Sequence, residues 1–121
     1  TVRSFSVQVV ADGTNVTTSD TYYIYISSAL DGLSLASFRA YFITAGAVGA
    51  LAQVTIQKKN GGSWTDMLTS ASTILATLNE GTAGAIDAEA AAVATGDVLK
   101  ISVPVQGLST PQGLLVNGTF N

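Results

Sequence analysis

The chain contains no histidine and no cysteine, and only thirteen of its 121 residues are charged, five basic and eight acidic. Histidine is the side chain whose ordinary pKa lets it exchange a proton near neutral pH, so the commonest acid–base machinery is missing. Lack of cysteine removes the thiolate nucleophile, the disulfide framework and the usual soft-metal ligands. It also fits a reducing compartment, or an assembly held together by other means. The five cations, Arg3, Arg39, Lys58, Lys59 and Lys100, are scattered along a chain of net charge −3. They are too few to neutralise a run of phosphates, which argues against a nucleic-acid partner. The longest apolar run, residues 42–54, is 13 residues long and includes Thr44 and Gln53. A membrane-spanning helix needs about 20 apolar residues, so no membrane span is expected. The opening TVRSFSVQVV also lacks the basic-then-apolar order of a signal peptide.

What is present is apolar, β-branched and small polar. Apolar residues make up 47% and charged ones 11%, against about 25% charged in typical soluble domains. Such an imbalance is expected of a protein that hides part of its exterior against neighbours. The length suits one domain, residues 1–121.

Period-two alternation recurs along the chain, the signature of half-buried strands. In residues 3–10, Phe5, Val7 and Val9 oppose Ser4, Ser6 and Gln8, and Asp12-Gly13 then supplies a turn. Residues 22–26 place Tyr23 and Tyr25 on one face and Tyr22, Ile24 and Ile26 on the other. Residues 33–43 follow the Asp31-Gly32 turn as a long strand, apolar in part on both faces. Residues 45–50 read as a loop on their glycines, and 52–58 as a strand with Val54 and Ile56 inward. Asn60-Gly61-Gly62 is the clearest hairpin signal. Further strands are expected over 64–68, 72–78, 97–104 and 113–120. The alanine-rich 83–95 has helical propensity but little to bury, so an extended connection with one helical turn is expected. Short strands punctuated about every ten residues predict an all-β fold, an antiparallel sandwich of about eight strands.

From Tyr22 onward, several stretches carry a resemblance. They are YIYI…ALDGLSL (23–35), AYFITAGAVGALAQVTIQKKN (40–60), DMLTS (66–70), AIDAEAAAVATGDVLKISV (85–103) and PQGLLVNGTF (111–120). Their order is similar to that in a family of small bacteriophage virion proteins, over about 100 of the 121 residues. The resemblance implies a jelly-roll-like sandwich serving as a capsid decoration or head-fibre protein, or as a tail-fibre or baseplate module. It further implies assembly with itself, often as a homotrimer, and contact with the major capsid protein or another virion protein at the particle surface. It brings no catalytic residue and no cofactor. The chain departs from the family pattern after Met67, where Ser70–Ser72 replaces an acidic turn.

The acids are Asp12, Asp20, Asp31, Asp66, Glu80, Asp87, Glu89 and Asp97. A glycosidase needs two facing each other across a cleft, whereas Asp12, Asp31, Glu80 and Asp97 adjoin a glycine, where acids serve turns. Asp87 and Glu89 lack the spacing of a calcium loop, so no metal site is assigned. Trp64 beside the Asn-Gly-Gly turn is the leading candidate for a ligand or partner contact, with Tyr23 and Tyr25, which share one strand face, as further candidates. Phe5, Val7 and Val9 are candidates for an N-terminal arm, residues 1–10, that adds to a neighbour's sheet edge. A glycan-binding alternative uses Trp64 with the loops 46–50 and 107–113. A non-enzymatic structural role is the expectation.

Overall fold

Alternating apolar and polar residues put most of the chain into strands. The computed structural model describes residues 2–46, 51–75, 77–107 and 111–121. Eleven strands follow one another, more than the eight expected. They are β1 (Arg3–Asn15), β2 (Thr21–Tyr25), β3 (Leu35–Thr44), β4 (Ala52–Lys59), β5 (Thr65–Asp66), β6 (Leu68–Ser70), β7 (Ser72–Ile74), β8 (Glu80–Ala83), β9 (Ala85–Ile86), β10 (Val98–Gln106) and β11 (Gln112–Phe120). The helical content of the described residues is one 3-10 turn, Ser28–Leu30.

One sheet runs β1-β11-β3-β8 and the other β2-β10-β4-β5, with β7 also paired to β4. All pairings are antiparallel. The chain passes from sheet to sheet at β1–β2, β2–β3, β3–β4, β7–β8, β8–β10 (by way of β9) and β10–β11. This is the order of a jelly roll, two Greek keys closed into a sandwich. The excess over eight comes from the short β5, β6 and β9. β5 and β7 together form one edge along β4, and β6 leaves that edge to pair with β9.

The core lies between the sheets. Phe38, Phe42, Leu114, Val116 and Phe120 face Val54, Ile56, Ile74, Leu99 and Ile101, all buried. Fully burying one such side chain contributes about 1.5–3 kcal/mol relative to leaving it exposed.

Several expectations change for physical reasons. The two apolar faces of residues 33–43 are reconciled by a bulge. Thr119 pairs with Ser37 and Phe120 with Leu35, so Ala36 is the extra residue and Leu35 joins Phe38 on the inner face. Asp12-Gly13 is not a turn between strands: β1 continues through it, and Gly13 (φ 79°) sits in a register shift between Val10 and Asn15. The expected strand 64–68 breaks at Met67, which is buried and donates its N–H to Ile56 O. The strand 72–78 ends at Ile74, and the chain turns through Thr77 (φ 65°). Residues 83–95 are extended as expected, but the turn over 88–90, closed by the Ala90 N–H on Asp87 O, is not helical. Asn60-Gly61-Gly62 does join β4 to β5, with Gly61 at φ 85°.

The N-terminal arm is a correction. Residues 3–8 pair one-to-one with β11, from Arg3 with Phe120 to Gln8 with Leu115, and β1 is part of the sandwich. Phe5, Val7 and Val9 are half-buried against the chain's own core, with the Phe5 ring 5.4 Å from that of Phe120. Phe5 lies so close over Gly118 that a Cβ there would stand 2.2 Å from its ring.

A candidate recognition site around Trp64

Register places the groups of this site. On the outer face of the second sheet Lys100 pairs with Tyr23 on one side and Gln57 on the other, and Val98 pairs with Tyr25 and Lys59. Alternation turns Leu99 and Ile101 inward and leaves Val98 and Lys100 outward. The hairpin after β4 reverses the chain, so Trp64 returns over this face. Lys100 Nζ lies 4.5 Å from the Trp64 ring centroid and Lys59 Nζ 5.6 Å from it. The Tyr23 ring stands 6.2 Å away, tilted by 42°. Each cation over the indole contributes about 0.5–1 kcal/mol at an exposed site, enough to hold the ring in place without burying it.

These groups border a recess of about 330 Å³ lined by Tyr23, Lys59, Gly61, Trp64, Gly96 and Val98. Gly61 and Gly96 have φ of 85° and 95°, a conformation that favours glycine, and neither rim position carries a side chain to close the opening. The carboxylate nearest in sequence, Asp97, is buried and committed: Oδ1 accepts from Asn60 Nδ2 at 2.6 Å and Oδ2 from the Ala94 N–H at 2.9 Å.

Of the residues singled out from the sequence, the fold brings Trp64 and Tyr23 together. Tyr25, 64% exposed, is on the same face but outside the recess lining. Tyr22 belongs to the opposite face of β2 and does not join this cluster. Residues 47–50 and 108–110, the centres of the two loops expected to assist Trp64, lie outside the described residues. The two lysines that flank the indole were not anticipated. The available signal was Lys100 alternating outward on its strand, with Lys59 at the mouth of the hairpin.

Five further acids are engaged by backbone N–H groups or side chains of this chain. Asp20 Oδ2 accepts from the Thr17 N–H, Asp31 Oδ1 from the Thr95 N–H and Asp87 Oδ1 from the Glu89 N–H. Asp66 accepts from Gln57 Nε2, and Glu80 pairs with Arg39. No group of three metal-ligating side chains occurs among the described residues, and no helix there is long and apolar enough to cross a membrane.

A second feature was also missed. Ile43, Leu51, Leu75, Leu78 and Val105 are exposed aliphatic residues. Topology gathers them at one end of the sandwich: Ala52 pairs with Ile74 and Gln106, Leu78 N–H donates to Leu75 O, and Asn79 Nδ2 donates to Phe42 O and Ile43 O. The described residues of these three connections, 43–46, 51–53, 74–75, 77–79, 104–107 and 111–113, carry no charged side chain, while the end of β1 and the β1–β2 connection bring Asp12 and Asp20 to the same end. Each aliphatic residue stands alone at a strand end, where alternation gives no warning that the fold will collect them.

No protein-family model matches the chain, no curated protein matches it, and no solved structure does.

Proposed function

We propose that the chain is a non-enzymatic structural protein of a bacteriophage particle, a capsid decoration or head-fibre protein that assembles with itself and seats on the outer shell. The carrying observation is the end of the sandwich that collects the exposed Ile43, Leu51, Leu75, Leu78 and Val105. Apolar surface collected in one place suits a permanent contact, whose buried centre is apolar within a polar rim. The jelly-roll order agrees with what the motif resemblance implies. The mechanism is passive: a homotrimer packs these ends together and over junctions of the major capsid protein, adding contact area that opposes the outward pressure of packaged DNA.

A second reading, a receptor-binding module of a tail fibre, is favoured by the Trp64 recess, which lies at the opposite end of the same sheet. From Ala52 to Lys59 along β4 the two features are separated by roughly 23 Å, at about 3.3 Å per residue. A cryo-EM map of the intact particle distinguishes the readings. Density for the chain on the outer shell of the head is expected. Density confined to the tail tip overturns the first reading in favour of the second.

A further inference from the structure

The geometry points to the Trp64 recess as a binding site for an acidic saccharide, a sugar ring bearing a carboxylate. This inference rests on the receptor-binding reading and narrows it to a ligand class. Three observations carry it. The recess combines an aromatic wall, Trp64 and Tyr23, with a cation, Lys59, on its lining. Flat amphipathic rings of this kind offer an apolar face to the C–H side of a sugar and a polar edge to its hydroxyls. Lys100 contacts the indole at 4.5 Å but is not part of the recess lining, so it steadies the ring without filling the site.

Charge decides the class. In a chain of net charge −3, two of the five cations stand beside one indole. Neither has a carboxylate within ion-pair distance; the one ion pair among the described residues joins Arg39 to Glu80. Lys58, next in sequence, is used differently, donating to Ala90 O and Ala92 O. A neutral sugar would leave Lys59 without a countercharge, whereas a carboxylated one supplies it as a charge-assisted hydrogen bond. An inorganic anion would meet the lysine and leave the aromatic wall unused.

Trp64 is the only tryptophan in the sequence, so its emission reports on this site alone. The test titrates the full chain with hexameric oligogalacturonate, maltohexaose and inorganic phosphate while following that emission. A saturable change with oligogalacturonate is expected, with at least tenfold weaker responses to the other two. Lys59→Gln is expected to weaken oligogalacturonate binding by about tenfold or more, the loss of one charged hydrogen bond. Lys59→Arg keeps the charge and is expected to retain binding, which separates lost charge from a damaged fold. Saturation by maltohexaose alone overturns the acidic class and leaves the saccharide reading standing. Equal competition by phosphate overturns the inference in favour of a bare anion site. Silence with both oligosaccharides overturns the inference, while the receptor-binding reading stands or falls separately on where the particle map places the chain. Binding unchanged in Lys59→Gln overturns the role of the lysine on which the class depends.

Discussion

Ser72 is fully buried, and its hydroxyl joins the two sheets at their closed flank. Its Oγ accepts from the Ala40 N–H at 3.1 Å and donates to Thr82 O at 2.6 Å. The need for it arises at a register shift between Arg39 and Tyr41 in the β3–β8 pairing, opposite which Ala40 finds the hydroxyl of β7. Close by, Gly81 leaves room for this contact, since a Cβ there would come within 2.7 Å of Ser72 Oγ and 3.0 Å of Ala40 O. Ser72→Ala strands a buried donor and a carbonyl, at a cost of about 1–3 kcal/mol. Urea unfolding is expected to show that loss, with Thr69→Ala, an exposed residue, falling within about 0.5 kcal/mol of wild type. A Ser72→Ala midpoint equal to wild type would contradict the assigned role. From the sequence, Ser72 reads only as the first residue of the expected strand 72–78, because nothing local marks a side chain that serves a distant backbone.

At the scale of elements, alternation was a reliable guide where a strand holds one register. The outward face of β10 and the split of the β2 tyrosines follow directly from it. It failed where the register shifts. The extra residue Ala36 moves the inner face from Leu35 to Phe38, and Gly13 keeps β1 running where Asp-Gly suggested a reversal. A bulge is set by the partner strand, so one strand read alone cannot place it. The aromatic half of the Trp64 site was legible, but its cations depended on pairing between β2, β10 and β4. The corrected status of β1 has a consequence. Deleting residues 1–8 removes the cover over β11, leaving Val116 and Phe120 open to water. The truncated chain is expected to lose cooperative unfolding and its near-ultraviolet dichroism. An unchanged transition would restore β1 as a dispensable arm.

Over the whole molecule, the Trp64 recess and the exposed aliphatic side chains lie at opposite ends. The turns at Asp31-Gly32, Asn60-Gly61 and Gly96-Asp97 bring charge, glycine and the Trp64 recess to one end. The opposite end gathers the exposed aliphatic side chains of Ile43, Leu51, Leu75, Leu78 and Val105, with Asp12 and Asp20 of β1 and the β1–β2 connection at the same end. On the proposed function, that end faces companion subunits and the recess faces outward. The low overall charge is then a property of a surface covered in the assembly, as the composition suggested. Sedimentation velocity over a wide concentration range tests this most directly, comparing wild type with the double variant Leu75→Asp, Leu78→Asp. Both leucines are about half exposed, 53% and 49%, so the charges are compatible with the fold. The account predicts a wild-type species about three times the 12.3 kDa of one chain, and a monomer for the variant. A wild-type monomer at every concentration, or a trimer indifferent to the two aspartates, would contradict it.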